Sequence, residues 1–361
     1  IASDLKGSPA LVQLSLAVFF AGVTLGQLLY GPLADRFGRK PPLIFGLALF
    51  VLSTAACLVV PNSELLVLLR FLQAIGASAG MVISQALVHD SFERQQAGQV
   101  FSALMLVMGI APIVAPLLGS FILTVAGWRM IFGVLSITGG LLLLAVLFRL
   151  PETAGSNPAI RLSRAFHVYG SLLKKPAFLR ITLSRSFANA GMFAYITAAP
   201  FLFINLLGIS AANFGWVFGA NALALLIGSQ LNGQLLKRHA MEKLLNLAII
   251  LVLVCGALIV ASGFLPLNFW TLLVPLFATM FVLGLIMPNA TALGLVGHHE
   301  HTGSASALMG SLMFGVAFLV SSLISAANNG SVQVMTLSIG TCTLLSLASY
   351  YFRRPKPSAG P

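Results

Sequence analysis

Long apolar runs separated by short polar interruptions make up most of this chain, with neither the alternation of a half-buried strand nor the polar face of a surface helix. Eleven runs approach the roughly 20 residues that cross a bilayer as a helix, at about 9–30, 42–60, 65–88, 98–124, 128–149, 178–204, 213–236, 243–263, 268–295, 303–327 and 332–352. Five precede a long polar segment at 150–177, and six follow it. The pattern predicts an all-α polytopic membrane protein: a bundle over 1–149, a linker at 150–177, a second bundle over 178–354 and a tail at 355–361.

The interruptions differ in charge. One set holds Arg36, Arg39 and Lys40; Arg94; Arg149, Arg161, Arg164, Lys174, Lys175 and Arg180; Lys237, Arg238 and Lys243; and Arg353, Arg354 and Lys356, together 16 of the 20 basic residues. The intervening loops, around Pro61, Gly127, Gly208, Pro266 and Asn329, are nearly free of them. Basic loops stay on the cytoplasmic side, so residue 1 is expected on the periplasmic side and the C-terminus in the cytoplasm.

Composition agrees. The chain is 58% hydrophobic and 8% charged, with a mean hydropathy of +0.99, whereas a soluble domain carries about 25% charged residues. The net charge of +12 lies in membrane-flanking loops, so it argues for orientation in a lipid bilayer and against nucleic acid as a partner. Cys57, Cys255 and Cys342 lie singly inside apolar runs and suit neither a disulfide framework nor a metal site. The run His298–His299–Glu300–His301 is a poor preformed zinc site; no metal and no cofactor are expected. No nucleophile elbow, phosphate loop or triad pattern suggests an enzyme.

An internal repeat is visible. Setting Gly31 on Gly233 pairs Gly26 with Gly228, Leu29 with Leu231, Leu33 with Leu235 and Arg36 with Arg238. Since Gly233 ends the second span of the six-span half, Gly31 is expected to end the second span of its own half, which places one further span before Ile1. Two six-helix repeats around a midplane site form a transporter architecture. Within the linker, Leu162, Phe166, Tyr169 and Leu173 recur at helical spacing among basic residues, which suits either a helix on the inner membrane surface or a flexible basic linker.

Five stretches stand out in order: GQLLYGPLADRFGRK (26–40), LLRFLQAIGASAG (68–80), GIAPIVAPLLGS (109–120), RSFANAGMFAYITAAPFLF (185–203) and HTGSASALMGS (301–311). Together they resemble the major facilitator superfamily, and within it the drug/proton antiporters of the bicyclomycin and chloramphenicol resistance branch, over essentially the whole chain. The resemblance implies the major facilitator fold, with eleven of twelve helices present in this chain, in the inner membrane of a bacterium.

The first stretch is similar to that superfamily's loop between its second and third helices. Gly26 and Gly31 are expected to admit close helix approach, and Pro32 and Gly38 a tight turn. Asp35 would face the positive end of the helix opening at Gly303–Ser304. Arg39, with Asp35 and Asp90, would form a charge network latching the two halves, with Arg36 and Lys40 beside it; alternatively the charges only orient the loop.

Arg70 lies well inside a span, where charge is usually functional, although it could snorkel to the outer interface. The resemblance implies a role in coupling protons to substrate, with Gln73 and Gly76 on the same face. For Arg185, snorkelling to the inner surface is the expected state. Gly109, Pro112, Pro116 and Gly119 form a stripe on a helix that two prolines should bend, read either as a seal against leak or as a kinked packing helix. Asn189, Phe193 and Tyr195, with Asn221, Gln230 and Asn232, are expected to line an apolar cavity with a few polar groups, though each alone is as readily a helix-packing contact.

All eight acidic residues (Asp4, Asp35, Glu64, Asp90, Glu93, Glu152, Glu242 and Glu300) lie in or near loops. A proton antiporter needs a titratable cavity group, which this branch commonly carries on its first helix, so that carboxylate is expected on the span before Ile1. The expected activity is export of a small lipophilic drug in exchange for protons, by a monomer. The alternatives are a transporter of another small solute, such as a sugar or metabolite, and a sensor that keeps the fold without transport.

Overall fold

The computed structural model describes residues 1, 4–5, 7–91, 94–153, 162–266, 268–296, 302–327 and 331–352; the histidine run at 298–301 and the tail at 355–361 lie outside them. The chain is all-α, with helices α1 (Pro9–Phe37), α2 (Lys40–Ala56), α3 (Ser63–Ser91), α4 (Arg94–Arg149), α5 (Leu162–Leu173), α6 (Pro176–Pro200), α7 (Ala211–Leu235), α8 (Met241–Ser262), α9 (Phe269–Leu295), α10 (Thr302–Ala326) and α11 (Val332–Tyr351). A π-helical turn, Phe201–Leu206, extends α6 beyond Pro200.

Among the described residues nine helices are long and apolar enough to cross a membrane. Within α4 the expected spans 98–124 and 128–149 are two helical stretches that meet at a kink at Gly127 (φ 77°, ψ 173°), a positive φ that glycine adopts without strain. α2, at 17 residues, falls just short of a spanning length, and α5, at 12, is shorter still.

Local chemistry sets the ends. Ser8 caps α1 by accepting from the Leu11 N–H, with Pro9 opening the helix. Ser210 does the same for α7, and Asn268 for α9. At its other end α1 stops at Gly38 (φ 86°). α1 is longer than the run 9–30 suggested: Pro32 lies inside it, so no tight turn forms there and Asp35 and Arg36 ride on its last turn.

α1 packs on α3 and α10, α2 on α3 and α4, α6 on α9, α10 and α11, α7 on α9 and α4, and α8 on α9 and α11. The repeat is visible in the crossings. A Cβ at Gly26 would collide with Ser78 of α3, and one at Gly228 with the Phe281 carbonyl of α9, so both glycines sit where two helices touch. Gly31 and Gly233 face open space instead, so the expected close approach at Gly31 is not found. The chain contacts between them are made one and a half turns earlier, at the positions that face the neighbouring helix.

The linker segment forms a helix in which Tyr169 and Leu172 are buried against Phe178, Ala305 and Leu308, while Phe166 and Leu173 are exposed. α5 is thereby seated on α6 and α10 by one face. The main core lies in the second bundle, around Tyr195, Phe203, Ile249, Leu276 and Ile286.

Candidate functional site

At the end that carries the basic loops, Gly38 reverses the chain between α1 and α2 and leaves Arg39 pointing back. Its Nη1 lies 2.6 Å from Asp35 Oδ1 and its Nε 2.8 Å from Asp90 Oδ2 at the end of α3. Burial would lower the Arg39 pKa, but the bonds to Asp90 and Asp35 outweigh it and hold the guanidinium above its ordinary value.

The sequence reading missed Glu152. Its carboxylate accepts from the backbone N–H groups of Arg39 (2.8 Å) and Lys40 (3.1 Å), so it supplies the anion that the start of α2 lacks in its own sequence. Lys40 Nζ donates in turn to the Leu147 carbonyl, 3.1 Å away. Arg36 stands outside this network, its guanidinium 5.3 Å from the Phe37 ring centroid.

Among the described residues the contacts of this network run between Asp35, Arg39, Asp90 and Glu152, all of which precede the linker helix, and Asp35 pairs with Arg39. One link between the halves near this level runs through α5, whose Tyr169 hydroxyl donates to the Leu28 carbonyl of α1 (3.3 Å); another is the Ser311 hydroxyl of α10, which donates to the Thr24 carbonyl of α1 (3.1 Å). Burial, with the charge of Asp35 adding to it, pushes the Tyr169 phenol up to about 12, so it stays a donor at neutral pH.

Deeper in, Arg70 does not snorkel. Its guanidinium lies 4.3 Å from the Phe19 ring centroid and 5.8 Å from that of Phe132, and Nη1 donates to Gln73 Oε1. Gln73, buried, passes the chain on by donating to Thr54 Oγ1 at 2.8 Å. Gly76 serves a different purpose: a Cβ there would come within 2.5 Å of the Phe50 N and 2.6 Å of the Gly46 O, so it permits the α2–α3 crossing. Arg185 does not snorkel to the inner surface either: its Nε is buried, without a hydrogen-bond partner among the described residues.

On α4, Pro116 and Ser120 meet α7: a Cβ at Gly215 would fall 2.7 Å from Ser120 Oγ and 3.1 Å from the Pro116 carbonyl. Helical dihedrals leave off at Gly127, not at the prolines, so the main change of direction is there. Gly119 faces open space on the helix side and borders a cavity of about 250 Å³ with Ile204 and Phe214. Gly109 and Pro112 fall outside the residues whose side chains are described.

The six expected cavity residues do not form one group. Phe193 packs against Phe20 of α1 with the rings tilted at 56° (centroids 4.4 Å apart) and lies 5.5 Å from Phe314 of α10; Phe20 and Phe314 are 6.0 Å apart. Asn189, one turn earlier, reaches Met313 Sδ at 2.7 Å. Tyr195 and Asn221 are buried together between α6 and α7, with Nδ2 to hydroxyl 3.3 Å. Asn232 is consumed by Asn289 of α9, each amide donating to the other (3.2 and 2.7 Å), which satisfies two buried polar groups and leaves little for a ligand. Gln230 is exposed, apart from the rest.

The aromatic triangle of Phe20, Phe193 and Phe314 therefore bridges the halves, next to Phe19, which carries Arg70. Phe20 and Phe314 were missed because a phenylalanine inside an apolar span carries no local mark. The adjacent pair Phe19–Phe20, whose neighbours point to different sides of one helix, was the available signal.

Comparison with known proteins places this geometry. A family model described as Major Facilitator Superfamily matches residues 1–322. An uncharacterized MFS-type transporter, YdgK of Bacillus subtilis, is 36% identical over 97% of this chain and 88% of its own. A bicyclomycin resistance protein homolog of Haemophilus influenzae is 31% identical (98% and 89% covered), and multidrug resistance protein D of Escherichia coli 27% (96% and 88%). The crystal structure of a D-xylose-proton symporter superposes with a TM-score of 0.71 at 15% identity, covering 93% of this chain and 87% of that one, a likeness of fold alone.

Proposed function

The chain belongs to the Major Facilitator Superfamily, and from that premise we propose that it exports small lipophilic drugs in exchange for protons. The carrying observation is the aromatic triangle Phe20–Phe193–Phe314, made from both halves at the middle of α1, α6 and α10. An apolar, aromatic site between two rocking bundles holds lipophilic molecules with little demand on their polar pattern. The names of two relatives, one for bicyclomycin resistance and one for multidrug resistance, support the same substrate class.

Arg70 is the coupling element in this reading. It is held by Gln73 and Phe19, one residue from the ring of Phe20, so occupation of the aromatic site and the state of the guanidinium share one stretch of α1. The Arg39 cluster keeps the start of α2 fixed while the halves move, and the contacts of Pro116 and Ser120 with Gly215 limit leakage beside the path. The protein works as a monomer in the bacterial inner membrane, with the basic loops inside.

The test uses inverted membrane vesicles carrying the protein, acidified inside by respiration, with chloramphenicol-like and bicyclomycin-like compounds added. Internal alkalinisation that depends on both drug and protein is expected. Drug accumulation that proceeds without proton movement would overturn the exchange, and no accumulation at all would overturn the substrate class.

A further inference from the structure

At the membrane face that carries the basic loops, α5, α6 and α11 border a cavity of about 510 Å³, apart from the aromatic triangle. Its wall holds two cations, Lys174 and Arg180, and no acidic residue. Arg180 donates through Nη1 to the Tyr350 carbonyl (3.1 Å) and lies 5.2 Å from that residue's ring centroid, which fixes its guanidinium at this wall. The first turn of α6 starts between the two cations, at Lys175. Two basic side chains set on either side of a helix start favour an oxyanion as the ligand group.

The remaining wall says which oxyanion. Leu179 and Leu183, one and two turns along α6 from Lys175, continue the cavity toward the membrane interior, with Ala348 of α11 opposite and Phe352 at the mouth. Charge thus lies at the rim and hydrocarbon below it, the polarity order of a phospholipid entering from its own leaflet. Beside the cavity α5 turns Phe166 (50% exposed) outward and sets Leu173 (41% exposed) into the cavity wall while Tyr169 and Leu172 hold it to the body, so among the described residues these two side chains keep apolar surface open to the membrane. A soluble phosphate would make no use of Leu179, Leu183 or Phe352.

We propose that this cavity is a binding site for one anionic phospholipid, with its phosphate between Lys174, Arg180 and the start of α6 and an acyl chain along Leu179 and Leu183. The lipid would fill the junction of the linker helix with the second bundle.

The full chain in detergent, titrated with phosphatidylglycerol or phosphatidylcholine and read by native mass spectrometry, tests this. Wild type is expected to retain phosphatidylglycerol preferentially, and Lys174→Gln with Arg180→Gln to weaken that retention about tenfold, from two lost charges near the membrane surface. The paired change Lys237→Gln with Arg238→Gln, equal in charge but in another loop, is expected to leave retention unchanged. Should the Arg180 variant fold poorly, Lys174→Gln alone, at an exposed side chain, is expected to lower retention by several-fold. Equal retention of both lipids, equal loss in the Lys237/Arg238 control, or displacement by glycerol phosphate at matched concentration would each overturn the proposal.

Discussion

The hydroxyl of Tyr169 donates to the carbonyl of Leu28 at 3.3 Å, and that carbonyl is the one which Pro32 leaves without its helical partner. In an α-helix the carbonyl of residue 28 takes the N–H of residue 32, and proline has none. The linker helix therefore supplies from another part of the chain the donor that α1 lacks, which explains how Pro32 sits inside α1 and how α5 is held to the first bundle.

Tyr169→Phe is expected to destabilise the fold by about 1–3 kcal/mol, the usual cost of leaving a buried acceptor unmade. In a Pro32→Ala background, where the carbonyl regains its own N–H, the same change should cost much less; thermal unfolding in detergent measures both. Equal costs in the two backgrounds would sink the argument. The phenol pKa, raised from 10.0 to about 12, gives the sign with pH: the contribution is complete below pH 10 and is lost as pH rises through about 12.

Glu152→Gln removes an anion from the start of α2 while keeping its size. The expected loss is about 0.3–2 kcal/mol of stability, the range for charge at a helix terminus. It should be accompanied by slower transport at unchanged drug affinity, because the residue holds Arg39 and Lys40 by their backbones and lies far from the aromatic site. Transport assays with a drug-binding control separate the two; a lowered affinity with normal stability would contradict the role.

Glycines that look alike in the sequence should respond in opposite ways. Gly31→Ala meets nothing within 4 Å and is expected to be neutral or to stabilise α1 by about 0.5–1 kcal/mol. Gly76→Ala pushes a methyl onto the backbones of Phe50 and Gly46 and should destabilise by about 1–3 kcal/mol. Yield and unfolding temperature of the two variants, side by side, decide it.

That contrast shows what a sequence carries and what it withholds. Spans and loop charges were legible because an apolar run and a cluster of arginines are local features, and the Arg39–Asp35 pair was legible because both residues lie within four positions of each other. Which glycine faces a neighbour depends on the rotation of a whole helix, so Gly26 and Gly31 could not be told apart. Glu152 lies 113 residues from Arg39, and Asn289 lies 57 from Asn232, so neither pairing leaves any local trace. The expected cavity dissolved for the same reason: an asparagine in a span asks for a partner, and only the packing decides whether that partner is a drug or another asparagine.

Phe193→Ala should raise the drug concentration needed for half-maximal efflux by about two- to tenfold, the equivalent of one lost aromatic pair. Phe20→Ala should act alike, and the double variant should cost less than the sum, since the two rings are 4.4 Å apart and share one contact. Phe264→Ala, at a 69% exposed position, serves as the unaffected control. Additive effects of Phe20 and Phe193 would place the drug elsewhere.

Arg70→Lys keeps the charge and removes the shape. An ammonium cannot spread over the Phe19 ring and reach Gln73 with the same fork, so both contacts weaken together. If Arg70 acts by coupling, drug binding in the variant stays near wild type while drug-driven proton movement falls roughly ten- to a hundredfold, the equivalent of a lost charge-assisted hydrogen bond of about 1.5–3 kcal/mol. Gln73→Leu should give a smaller loss of the same kind, because Arg70 keeps its aromatic contact while Thr54 loses its donor. A structural role predicts a different pattern: both variants would lower the unfolding temperature and drug binding in proportion to transport. Measuring binding, proton flux and unfolding on the same two preparations distinguishes the cases, and a lysine variant with full proton flux would show that charge alone, not the held guanidinium, is what the site requires.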